Sequence, residues 1–322
     1  MRARGAALLS AMLTVALVAS LAASALWLQW RSVEIEAAQR ARAQSLWILT
    51  GAQDWARLIL REDARSGGAD HLGEPWAVPL AEARLSTFLA ANTSDTDLGD
   101  TADQVFLSGA IQDLQARLNV YNLVDGGKIS QADVRSFARL FAQLGLPSAE
   151  LGALAENLRF ALHTRSDSSA TRRAPLLPQR VEQLGWLGLS PRSLAILGPY
   201  ITLLPTRTPV NLNTASAPVL QACIPGLDLA QAQRLASARQ NSHFRSLADA
   251  SQVISEAPPE LNDAQHSVQS RFFEIQGRLR MEQAAIEERS VVQREGLQVK
   301  TLWRDRGPTA AYNPVGIAPP LQ

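Results

Sequence analysis

Between Ala6 and Trp30 the chain carries no Asp, Glu, Lys or Arg. As a helix that stretch is roughly 37 Å long, enough to cross a bilayer with some tilt. No other feature constrains the chain as much, because everything polar must then lie on one side of the run or the other. Arg2 and Arg4 precede it, and the first charge after it is Arg31. The positive-inside bias therefore puts the N-terminus in the cytoplasm and the bulk of the chain on the far side of the membrane.

Taken alone, the stretch admits three readings. A cleaved secretory signal would use Arg2 and Arg4 as its basic region and Ala22-Ala23-Ser24 as its cleavage site. A signal anchor would keep the run. A prepilin-type leader would end at Gly5, with Ala6 opening the apolar helix in Arg4-Gly5-Ala6-Ala7-Leu8-Leu9 and a dedicated peptidase cutting on the cytoplasmic side. Against the first reading, the run is long and continues through Arg31-Ser32-Val33 into a second helical pattern.

About 290 residues follow the run, room for two ordinary domains. The 31 basic and 30 acidic residues nearly cancel, so no global field favours nucleic acid or acidic partners. Cys223 is the single cysteine, which excludes an intrachain disulfide and suits a small buried apolar residue.

From Glu34 to Arg65 the period is helical, with Ala41, Ser45, Ile48, Ala52, Trp55 and Ile59 as the expected buried stripe. No proline occurs between Ala6 and Asp70, so one long helix is expected, ended by Gly67-Gly68. A short helical piece is expected at Ala81–Ala90. Val105–Ile111 reads as a strand, and Leu118–Leu123 as a second strand entering a turn at Asp125-Gly126-Gly127. Ser130 with Asp133 marks a helix start, and further helices are expected at Ser148 to about Leu162, after Ser190-Pro191, at Ala215–Cys223, at Leu229–Gln240 and at Ala248–Ile254. From Val268 the period changes to two, and Phe273–Arg280, Ala284–Arg294 and Leu297–Trp303 read as an antiparallel meander. The pattern is α+β, with a helical block interrupting a domain whose sheet is completed by C-terminal strands.

Motifs for chemistry are sparse, and no enzyme is expected. Asp125-Gly126-Gly127-Lys128 lacks the first glycine and the Ser/Thr of a phosphate loop, since Asn122 and Ile129 stand at those places. His71, His163, His243 and His266 show no metal-ligand spacing. The hairpin Ile224-Pro225-Gly226-Leu227 between two helices is the one nucleic-acid candidate. Asp228 stands where the second glycine of a DNA-binding hairpin belongs, and Asp228 and Asp249 offset Arg234, Arg239 and Arg245. Asp95, Asp97, Asp100 and Asp103 form an acidic loop, a calcium candidate whose spacing is not that of an EF-hand.

The parts together resemble the K minor pseudopilin family of type II secretion (general secretion pathway protein K). The matching stretches are the leader, Trp55–Ile59, Glu74-Pro75-Trp76-Ala77, Gly109–Asn119, Leu204-Pro205 leading into Val210-Asn211-Leu212-Asn213-Thr214-Ala215, and Phe244–Leu247. The resemblance implies a pseudopilin fold, α+β, with a long N-terminal membrane-spanning helix, an antiparallel sheet and a large inserted all-α domain containing a helix-hairpin-helix-like unit. It divides the chain into a leader (1–5), a transmembrane helix (6–30), two sheet-domain parts (31–125 and 266–305), the insertion (126–265) and a tail (306–322). It further implies prepilin-peptidase cleavage between Gly5 and Ala6 with N-methylation of Ala6, and assembly with the minor pseudopilins I and J at the tip of a periplasmic pseudopilus. The anchor would be a single pass in the inner membrane. Members usually carry an acidic run of the type Asp-Trp-Ile-Asp-x-Asp in the insertion. Here His163–Arg173 is basic and holds one acid, Asp167, so no calcium site carries over to it. The alternative class is a membrane-anchored, competence-type DNA receptor, which the missing hairpin glycine and balanced charge disfavour.

Overall fold

The computed structural model describes residues 3–90, 105–163, 175–254, 261–281 and 284–308. The chain divides into two compact units, Met1–Ala52 and Gln53–Gln322. A single helix, α1 (Ala3–Ser66), fills the first and opens the second. Nothing in its sequence breaks it until Gly67 and Gly68, whose φ of 68° and 116° are left-handed and end the helix.

In the first unit the side chains of Leu8, Leu9, Leu17 and Val18 are all more than half exposed, and at 100° per residue they point to every side of the helix. A helix that is apolar all round needs an apolar surrounding. Among the described residues α1 is the one helix long and apolar enough to cross a membrane. Trp27 and Trp30 stand at the end of the run, and the Arg31 guanidinium lies 5.5 Å from the Trp27 ring centre, the mixture found at membrane–water interfaces.

In the second unit the buried stripe of α1 is Gln53, Ala56 and Leu60, one position away from the expected one; Trp55 is exposed and Ile59 half-buried. The reason is Gln53, a polar residue that hydropathy places outside. Its amide donates to Ile275 O (3.4 Å) and accepts from Ser290 Oγ, so it is accommodated inside. Ala56 and Leu60 pack with Trp76, Phe273, Ile275 and Val292.

Chain order then gives β1 (Leu80–Arg84), α2 (Leu85–Ala90) and β2 (Val105–Asp113). The expected helix at Ala81–Ala90 is therefore a strand in its first half. Pairing of Leu80 with Gly109 and Arg84 with Phe106 along the sheet edge outweighs the helical propensity of Ala-Glu-Ala-Arg. The expected strand Leu118–Leu123 is also corrected. Only β3 (Leu118–Asn119) is extended, and Val120–Leu123 is a 3-10 turn, because the Asn119 side chain accepts from Tyr121 N and caps it. A hairpin follows from β4 (Val124–Asp125) to β5 (Lys128–Ile129); Gly126 and Gly127 supply its two positive φ values, 54° and 78°.

The helical region comprises α3 (Gln131–Gln143), α4 (Ser148–His163), α5 (Pro191–Leu197), β6 (Ile201–Thr202), β7 (Val210–Asn211), α6 (Ala217–Cys223), α7 (Leu229–Asn241), α8 (Leu247–Val253) and β8 (His266–Ser267). Ser130, Ser190, Asp228 and Ser246 cap α3, α5, α7 and α8 with their side chains. Phe137, Leu140, Phe141, Leu154, Leu158, Leu220 and Leu235 fill its core.

The meander β9 (Phe272–Met281), β10 (Ala284–Glu295) and β11 (Gln298–Pro308) follows; β11 takes in residues 306–308, which were expected to belong to the tail. The five-stranded sheet has the order β1-β2-β9-β10-β11. Its β2 and β9 are antiparallel neighbours, in register from Val105 opposite Met281 to Asp113 opposite Phe273. The whole helical region therefore lies between two adjacent strands.

Candidate functional site

Asp113 ends β2, where the chain leaves the sheet for the helical region, and its side chain is buried. Its Oδ1 accepts from Gln115 N (2.7 Å), capping the turn Leu114–Ala116. Its Oδ2 accepts from Thr214 Oγ1 (2.6 Å), Ser270 Oγ (2.6 Å) and Asn211 Nδ2 (3.1 Å). One carboxylate thus joins the sheet, the Asn211–Thr214 segment and the approach to β9. Burial pushes its acid up to about 6, against the pull of the Ser270, Thr214 and Gln115 hydrogen bonds. With its acceptor sites occupied by groups of its own chain, Asp113 acts as a fastener.

Amide side chains complete the joint by pairing with backbone as a neighbouring strand would. Asn119 accepts from Leu204 N (3.1 Å) and donates to Thr206 O (2.9 Å). Asn122 donates to Thr208 O (2.8 Å) and accepts from Thr208 N (3.1 Å). Asn213 does the same with Phe244 O (2.9 Å) and N (2.8 Å). Gln115 donates to Pro209 O (3.1 Å) and accepts from Arg271 N (2.7 Å). Buried amides with both ends satisfied rigidify one arrangement. The motifs Gly109–Asn119 and Val210–Ala215 are thus structural in origin.

A second, ionic centre lies beside the first. Arg294 of β10 reaches Asp63 Oδ2 and Asp70 Oδ1, each at 2.5 Å, and donates to Ser270 O (2.8 Å). Its guanidinium lies 4.9 Å from the Phe273 ring centre. Glu74 accepts from Trp76 Nε1 (2.7 Å) and His71 N (2.9 Å). The ligand atoms of Asp63, Asp70 and Glu74 lie within 4.8 Å of one another. Burial raises the acids of Asp63 and Asp70, with Glu74 adding to the rise at Asp63. Burial pulls the Arg294 cation down, but the two carboxylates outweigh it and the net shift is up. At the acids burial decides the direction, and at the cation its two carboxylate partners do. Sequence reasoning did not find this centre, because its members stand up to 231 residues apart and no spacing signals them.

Gly5 and Ala6 lie in the first turns of α1. Asp95, Asp97, Asp100 and Asp103 lie outside the described residues. The Ile224–Leu227 hairpin joins α6 to α7, with Gly226 at φ 78°. Asp228 accepts from Gln231 N (2.7 Å) and caps α7, and Asp249 accepts from Arg245 N (2.9 Å). Arg239 donates to Leu212 O (2.6 Å), and burial lowers its cation to about 10. Asp228, Asp249 and Arg239 therefore serve the fold. His71 and His243, remote in sequence, stack with ring centres 3.8 Å apart. Cys223 is buried, and burial pushes its thiol up to about 12.

The same segments carry the likeness to known proteins. Two family models, both described as type II secretion system (T2SS), protein K, match residues 116–206 and 210–269. The chain is 28% identical to a type II secretion system protein K of Pseudomonas aeruginosa, over 94% of this chain and 89% of the relative. It is 24% identical to one of Pectobacterium carotovorum subsp. carotovorum, over 97% and 99%. Its fold matches a chain in the crystal structure of the GspK-GspI-GspJ complex from the enterotoxigenic Escherichia coli type 2 secretion system, with a TM-score of 0.59 and 17% identity, over 84% of this chain and 98% of that one. The two models cover most of the amide-clamped segments on which the helical region is hung between β2 and β9, and the relatives extend the likeness along nearly the whole chain: it belongs to the type II secretion system protein K family.

Proposed function

We propose that the chain is a minor pseudopilin that works by assembly rather than catalysis, at the tip of a periplasmic pseudopilus, together with the minor pseudopilins I and J. The observation that carries this reading is the helical region set between the adjacent strands β2 and β9 and locked there by Asp113 and the amide clamps. A rigid mass of that size is suited to one end of a filament and unsuited to repeated stacking along a shaft. The fold shared with a chain of the GspK-GspI-GspJ complex supports the choice of partners.

The apolar start of α1 anchors the chain by a single pass in the inner membrane, N-terminus in the cytoplasm and second unit in the periplasm. Prepilin peptidase cuts between Gly5 and Ala6, and the new amine of Ala6 is methylated. Counted from Ala6, the fifth residue is Ser10, and the first carboxylate after the run is Glu34. A carboxylate within hydrocarbon is costly unless paired. In pilin-like subunits its partner is the terminal amine of a neighbour, and a terminal subunit has none to meet.

Intact-mass measurement of the chain from cells containing prepilin peptidase should show loss of residues 1–5 plus one methyl group; cleavage near Ala25 would sink the pilin reading. Co-purification of the full chain with the two companion pseudopilins tests the assembly role. Gold labelling along the whole filament, instead of at one end, would rule out the tip position.

A further inference from the structure

At one border of the five-stranded sheet lies β11, 11 residues long, which pairs with β10 alone among the described residues. An open border of that length invites pairing with other chains unless something covers it. Arg180, from the helical region, holds Asp305 at 2.9 Å and lies 5.5 Å from the Trp303 ring centre, which guards the middle of the strand. Elsewhere apolar side chains stand uncovered. Leu302, the extra residue at the bulge beside Val291 and Val292, is 40% exposed, and Leu297 in the β10–β11 turn is 48% exposed.

Beside that turn a groove of about 590 Å³ opens between α1 and the start of β11, lined by Arg57, Leu58, Arg61, Leu297, Val299 and Lys300. Its cations are already answered, Arg57 by Asp54, Arg61 by Glu62 at 3.7 Å and Lys300 by Glu295 at 3.1 Å. The Arg57 Nε–H, in contrast, is buried with no acceptor among the described residues, next to the exposed Leu58. Such a groove suits apolar side chains and a carbonyl oxygen better than a further charge.

The chain carries a segment of that kind. After Arg306 no Asp, Glu, Lys or Arg occurs as far as Gln322. Thr309–Gln322 contains Tyr312, Val315, Ile317 and Leu321, and its Pro314, Pro319 and Pro320 favour an extended course over a further strand. From Pro308 back to Gln298 the strand covers roughly 34 Å. Residues 309–322, extended, reach roughly 43 Å. With about three residues spent on reversing direction, Ile317 returns to the level of Leu302 and Trp303, and Leu321 to that of the groove.

We propose that Thr309–Gln322 folds back along the open border of β11 as a strap, with Ile317 beside Leu302, Leu321 between Leu58 and Leu297, and a strap carbonyl accepting from Arg57 Nε. The chain thereby covers its own sheet edge. This does not depend on the assembly reading.

The test uses the full chain in detergent with a photo-crosslinking residue at position 297. Digestion and mass spectrometry should find it joined to the 309–322 segment. A mixture of isotope-labelled and unlabelled chains should show the bond within one molecule. The same probe at position 78, exposed ahead of β1 at the opposite border, should not reach the segment. Ile317→Ser combined with Leu321→Ser should cut the yield at 297 about tenfold. Arg57→Lys keeps the charge facing Asp54 but has no Nε–H, and should lower the yield about threefold. A crosslink from 297 to a second chain, equal yields from 297 and 78, or a yield unmoved by the paired serines would overturn the strap.

Discussion

Two buried centres lie side by side and are built on opposite principles: one ties the helical region to the sheet, the other ties the end of α1 to β10. Around Asp113 one carboxylate meets neutral donors, and its amide neighbours pair with backbone at both ends. Around Arg294 one cation is divided between Asp63 and Asp70, with Glu74 close behind. Removing water from the first centre is offset by short neutral hydrogen bonds with geometry fixed by the backbone. In the second, two carboxylates and a guanidinium lose hydration together, and Coulomb attraction only partly offsets that loss. The hydrogen-bonded centre specifies a single arrangement at modest cost. The ionic centre holds only while all its charges are present.

The sharpest way to break this contrast is Asp113→Ala. It strands Gln115 N and the Ser270 hydroxyl, and leaves Thr214 Oγ1 only its longer bond to Asn211 O and Asn211 Nδ2 only Asp70 O and Ser270 Oγ. Urea unfolding of the full chain in detergent should show a loss of about 4 kcal/mol. A loss below about 1 kcal/mol would mean that water enters and replaces the carboxylate.

Arg294→Met comes next. It leaves Asp63 and Asp70 buried without their cation and should cost about 3 kcal/mol. The contrast predicts that adding Asp63→Asn and Asp70→Asn restores most of that loss, because the desolvation cost then vanishes with the charges. If the triple variant is as unstable as the single one, the ionic centre is a source of net stability and the contrast fails.

The smallest effect is in pH. Folded Asp113 holds its proton to about pH 6, whereas the unfolded carboxyl has the ordinary value of 3.8. Between those values the folded chain binds more protons, so this contribution is full below about pH 3.8 and is lost as pH rises through about 6. At 1.36 kcal/mol per unit the full shift is worth about 3 kcal/mol, of which about 2 kcal/mol falls between pH 4 and 7. Asp63 and Asp70 are raised as well and act in the same sense. His71, His243 and His266 are held low by burial and act in the opposite sense, so the comparison carries the test: from pH 4 to 7 the unfolding free energy should drop relative to that of Asp113→Asn as pH rises. An equal slope in both chains would assign the titration to the ionic centre.

Local chemistry was readable from the residues in order. The uncharged run of α1, its end at Gly67-Gly68, the Ser130 and Ser190 caps, the α6–α7 hairpin with Asp228, and the alternation of β9 to β11 each depend on neighbours within a few positions. So does the α+β order with helices inserted before the last strands. What only the tertiary structure decided involves partners far along the chain. The buried face runs through Gln53 and Ala56, not Ala52 and Trp55, because Ile275 and Ser290 satisfy the Gln53 amide. Ala81–Arg84 is a strand because β2 offers it an edge. Asp113 meets Asn211 and Ser270 across 98 and 157 residues, and Arg294 meets Asp63 across 231. Periodicity records which face of an element is apolar. It cannot record that a polar side chain will find its hydrogen bonds inside, since that depends on a donor or acceptor that folding alone brings within 3 Å.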